Sequence, residues 1–142
     1  MAAATFGIAI VLTLAGCGVG DPQAGTPSAA VDPAVEREPE GTADDNLAFF
    51  DDANDRFLSA DPSPGGRPIV DNLVAAGFDR DAMELTRDTT PTGRQADSVQ
   101  FSVRIGDACL IGQASESGYV GIVGPLLSGS RCLIGELRPI DW

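Results

Sequence analysis

The chain has 142 residues and a net charge of −12, with 21 Asp and Glu set against nine Arg and neither Lys nor His. An acidic surface repels phosphate backbones, which argues against a nucleic-acid partner. The missing His removes the commonest general base and metal ligand, and with them the usual Ser-His-Asp triad and most zinc sites.

Phe6 to Leu14 is an apolar run too short to cross a bilayer, the size of the h-region of a signal peptide. Leu14-Ala15-Gly16-Cys17 follows it and looks like a bacterial lipobox, in which small residues precede a cysteine that is lipidated on sulfur. Residues 1–16 are therefore expected to be a lipoprotein signal peptide. Cys17 is the expected lipidation site, anchoring the chain to the extracytoplasmic face of the cell membrane. Met1 to Thr5 carry no Arg or Lys, a departure from the positive n-region of such signals. From Gly18 to Gly41 the chain is rich in Gly, Pro, Ala, Ser, Thr and acid. Such a segment buries too little to offset its ordering entropy, so residues 17–41 are expected to form a disordered acidic tether. It would span roughly 25–30 Å root-mean-square.

The folded domain is expected over 42–142. Thr42 suits an N-cap, with Asp44 and Asp45 in the first turn where the helix dipole favours anions. Leu47, Phe50, Phe57 and Leu58, with Ala43 and Asn54 between, form the apolar stripe of a first helix that stops before Pro62. Pro68 fits the first position of a second helix with Ile69, Val70, Leu73 and Val74 inward. Gly77 suits its C′ position, and Phe78 can fold back on Leu73.

The period then changes from 3.6 to 2. Met83 and Leu85 mark a first strand, and Asp88 to Asp97 an exposed loop. Val99, Phe101, Val103 and Ile105 alternate with Gln100, Ser102 and Arg104 as the clearest strand. Gly106-Asp107 reads as a two-residue hairpin turn, which would set Cys109 opposite Arg104, on the other face from Val103 and Ile105. Further strands are expected at Cys109, at Tyr119 to Val123 and at Cys132. The fold class is thus α+β, with two N-terminal helices on one face of a mostly antiparallel sheet of four to five strands.

Cys109-Leu110-Ile111-Gly112 is repeated as Cys132-Leu133-Ile134-Gly135. Two such runs, exported from the reducing cytosol, predict a Cys109–Cys132 disulfide; the alternative is a pair of separate buried thiols. Neither cysteine lies in a CxxC, so a thioredoxin-like site is not indicated. The run Asp51-Asp52-Ala53-Asn54-Asp55 invites a calcium reading, but Phe57 stands where the turn glycine of such a loop belongs. No metal site and no cofactor are expected, and no G-x-G-x-x-G or phosphate-loop motif occurs. Trp142 is expected either to dock on the domain or to be presented as an interaction residue.

Lipobox, acidic tether, two helices, the repeated cysteine motif and the closing Arg138-Pro139-Ile140-Asp141-Trp142 together resemble a family of small actinobacterial lipoproteins. That family is catalogued only as a domain of unknown function. The resemblance covers about Ala43 to Trp142; it implies an extracytoplasmic lipoprotein and supplies no catalytic residue. The expected role is non-enzymatic: binding, or an envelope-related interaction with a protein or envelope partner, carried by a domain joined to the membrane through Cys17. Two alternatives stand beside it, a small carboxylate-based hydrolase of envelope polymers and a purely structural envelope component. A deep cleft with two acids of opposed pKa would favour the hydrolase, and a flat face with an exposed apolar patch the binding module.

Overall fold

A computed structural model describes residues 35–142. The expected signal peptide, Cys17 and the tether up to residue 34 lie outside the described residues.

Helix α1 (Ala43–Leu58) opens on a capping box: the Thr42 hydroxyl accepts from the Asp45 N–H, and the Asp45 carboxylate accepts from the Thr42 N–H at 2.8 Å. Its buried residues are Ala43, Asn46, Phe50, Asn54 and Leu58, so the inward stripe contains two amides. Asn46 explains why the folded unit takes in residues ahead of Thr42. Its side chain accepts from the Glu38 N–H at 2.9 Å and donates to the Glu38 carbonyl at 2.8 Å, replacing the ladder partner that an isolated segment lacks. Arg37 lies 5.3 Å from the centre of the Phe78 ring. The end of the expected tether is thus held on the domain.

Helix α2 (Gly66–Ala75) starts two residues before Pro68, after Gly65 at φ 82°. It ends in a Schellman motif. Gly77 takes φ 92°, its N–H donates to the Val74 carbonyl, and the Phe78 N–H donates to that of Leu73. Ile69, Val70, Leu73 and Phe78 are all buried. A 3-10 turn at Arg80–Ala82 leads into the sheet.

The strands are β1 (Met83–Leu85), β2 (Ser98–Ile105), β3 (Ala108–Ser115) and β4 (Gly118–Pro125), an antiparallel meander in the order β1-β2-β3-β4. The turn at Gly106-Asp107 sets Arg104 opposite Cys109, as its two-residue length requires. Leu85, Phe101, Val103, Leu110 and Ala114 therefore share the face that meets the helices, and all are buried. An aromatic chain crosses the interface: Phe49 and Phe50 each lie 5.9 Å from Phe78, Phe50 lies 5.9 Å from Phe101, and Phe101 stacks on Tyr119 at 6.2 Å.

The strand expected at Cys132 does not form. The N–H groups of Cys132 and Leu133, which a ladder would need, both donate to the Glu84 carboxylate, at 3.1 and 2.8 Å. Gly135 at φ 97° then turns the chain out of extended geometry. Residues 126–137 form a strap instead. It leaves β4, is bonded to β3 through Cys109–Cys132, and reaches the far side of β1 where Leu137 bridges Thr86. The two cysteines have a Cα–Cα distance of 5.7 Å, and the bridge lies on the face away from the helices.

Candidate functional site

The two edges of the sheet are finished differently. On β1 the end of the strap closes the edge: Leu137 bridges Thr86, and the next residue, Arg138, donates its N–H to the Leu85 carbonyl at 2.8 Å. On β4 nothing does so among the described residues. The hairpin loop Glu116–Ser117 pairs Ser115 with Gly118. By antiparallel alternation Gly118, Val120, Ile122 and Gly124 then spend their backbone groups on β3. Tyr119, Gly121 and Val123 direct their N–H and C=O outward. Sheet edges are ordinarily blunted by charge, proline, bulges or shortness. β4 runs from Gly118 to Pro125 without a charged residue, and its one proline is the last.

The side chains on either side of this edge differ in character. On the outer face Val120 and Ile122 are 64% and 51% exposed, since the strap covers only the Cys109 end of the sheet. Beside them the exposed amides of Gln100 and Gln113 bond each other at 3.1 Å. On the helix face Tyr119 reaches α1 and donates to Asp51 Oδ1 at 2.8 Å. Burial, and then the Asp51 carboxylate, push the phenol far above its ordinary value, so Tyr119 is a neutral donor at any physiological pH. Asn54, fully buried one turn on, donates to the Phe50 carbonyl at 2.8 Å. A Cβ at Gly121 would run into the Asp51 carboxylate and the Tyr119 hydroxyl, so any side chain here would displace that pair.

Beyond Tyr119 a crevice of about 320 Å³ separates the end of α1 from the β3–β4 hairpin, with Leu58 and Pro62 on its walls and Asp55 and Glu116 open to solvent at its rim. Among the described residues Asp51, Asp55 and Glu116 are in no ion pair, whereas Asp52 has Arg56 at 2.8 Å.

The residues singled out in the sequence are dispersed. Cys109 and Cys132 are joined and buried. Cys17 lies outside the described residues. Trp142 is half-buried on α2, its ring flanked by the guanidinium groups of Arg67 and Arg138 at 5.4 and 5.2 Å. Its indole N–H donates to Asp71 at 3.1 Å and its carbonyl accepts from Arg80. No group of three acidic or sulfur side chains converges as a metal site, and no helix is long and apolar enough to cross a membrane, among the described residues. The β4 edge escaped the sequence reading. Its one signal was a run with apolar residues at both parities, Tyr119-Val120 and Ile122-Val123, which reads equally as a strand covered on both faces.

Comparison with known proteins places this geometry in a family context. The family model described as "Domain of unknown function (DUF6993)" matches residues 54–136, more than half of the chain. The match runs from the second half of α1 through all four strands and the disulfide strap, and leaves Trp142 outside. No curated protein and no solved structure matches.

Proposed function

The chain belongs to the family of domains of unknown function DUF6993, and from that premise we propose that it is a lipid-anchored binding domain on the extracytoplasmic face of the membrane. Cys17 is its attachment point, the acidic segment that follows is its spacer, and the open edge of β4 is where it engages a protein or envelope partner. The observation that carries the binding role is the contrast between the two edges. The segment after β4 closes β1, whereas among the described residues nothing covers the outward backbone groups and two exposed apolar side chains of β4. Support for the anchor comes from the order of apolar run, Leu14-Ala15-Gly16-Cys17 and acidic spacer.

Both halves are testable in intact cells. Cys17→Ser should move the protein out of the membrane fraction or leave it uncleaved; a membrane-bound protein that keeps an unmodified Met1 overturns the anchor. A photoreactive residue at position 120 should give cross-linked adducts that vanish on Ile122→Ser at unchanged melting temperature. Adducts from position 104 but none from position 120 overturn the binding edge.

A further inference from the structure

The partner's chemistry follows from what flanks the open edge. A strand added beside β4 alternates its side chains between the two faces of the sheet. On the outer face it meets Val120 and Ile122, which are exposed and apolar. On the helix face it meets the side of α1 that carries Asp51, held against β4 where Gly121 lacks a side chain, with Asp55 and Glu116 further along. None of these carboxylates has a cation among the described residues. The whole chain carries −12.

Resting on the binding reading above, we infer that the outer edge of β4 takes an extended, cationic segment of a partner polypeptide as a fifth antiparallel strand. Its apolar side chains lie on Val120 and Ile122, and its Arg or Lys side chains point toward Asp51 and Asp55. Backbone bonding to Tyr119, Gly121 and Val123 supplies the pairing, as in other cases of strand addition, and the alternating side chains supply the selectivity. Charge argues against the two nearest competitors. The chain's own residues 1–34 carry Asp21 and Asp32 and neither Arg nor Lys. A second copy would bring another −12 to the same edge.

The test uses the full chain with Cys17→Ser and three ten-residue peptides alternating Val with Lys, Thr or Glu. Amide hydrogen exchange by NMR reads the geometry, and fluorescence anisotropy reads affinity. The Lys peptide should slow exchange at Tyr119, Gly121 and Val123 and leave Val120 and Ile122, already bonded to β3, little changed. Its affinity should fall about three- to tenfold in Asp55→Asn/Glu116→Gln, two exposed positions that leave the core alone, and fall further with salt. Equal binding of the Thr and Lys peptides overturns the cationic partner while leaving the edge as a binding site. Protection that grows with protein concentration and no peptide makes the occupant a second copy and overturns the inference. No protection by any peptide, together with failure of the position-120 cross-links, overturns the binding edge itself.

Discussion

Tyr119 and Gly121 show how closely α1 is fitted to β4. The tyrosine hydroxyl bonds a carboxylate 68 residues away, and the glycine makes room for that carboxylate over the strand. This pair sets a pH dependence whose sign is fixed. The folded-state value of Tyr119 is raised, first by burial and then by Asp51, so the contribution is fully present below the unfolded tyrosine value of about 10 and is lost as pH rises above it. Denaturant titrations between about pH 8 and 11 should show stability falling toward the alkaline end, and Tyr119→Phe should flatten that slope. An unchanged slope in the variant would show that other groups set it. Neither side of the contact was visible in the sequence. Asp51 sits in a run that reads as a solvated helix face, and Tyr119 reads as one more strand residue. Pairing across such a separation depends on how α1 is laid over the sheet, which no local pattern encodes.

At the level of elements, the signals that proved sufficient were caps and periods. Thr42 and Asp45 start α1, Gly77 and Phe78 end α2, and the alternation of Val99 to Ile105 makes β2. Each of these acts within a few residues, so the sequence contains the whole cause. Leu73 tests the packing that follows. It is fully buried, between the Schellman turn and the sheet, and Leu73→Ala should cost about 2–4 kcal/mol in chemical denaturation. A loss under about half a kcal/mol would mean that the site collapses around the smaller side chain. The element that departs from its local pattern is the second Cys-Leu-Ile-Gly. Read alone it resembles the first, yet Glu84 of β1 takes its backbone donors and Gly135 turns it, so it becomes a strap.

For the molecule as a whole, the strap and the disulfide decide what is closed and what is left open. The Cys109–Cys132 bridge spans 23 positions and ties the chain after β4 back onto β3. Loop-closure reasoning gives it about 3 kcal/mol, a large share of the roughly 5–15 kcal/mol typical of a small domain. The Cys109→Ala/Cys132→Ala variant should lose about that much in denaturant unfolding. If the two cysteines alkylate freely in protein purified without reductant, the bridge is absent and the strap must be held otherwise. The α+β class, both helices, four of the strands, the Gly106-Asp107 register and the cysteine pair were all legible in the sequence, because period, cap and turn length are short-range constraints. Which strand ends at an open edge was not. That depends on where the chain goes after Pro125, and the choice is made by a carboxylate on β1 and a sulfur on β3 competing for a segment whose own pattern suits a strand. Only the tertiary structure, in which those distant groups meet, leaves β4 uncovered among the described residues.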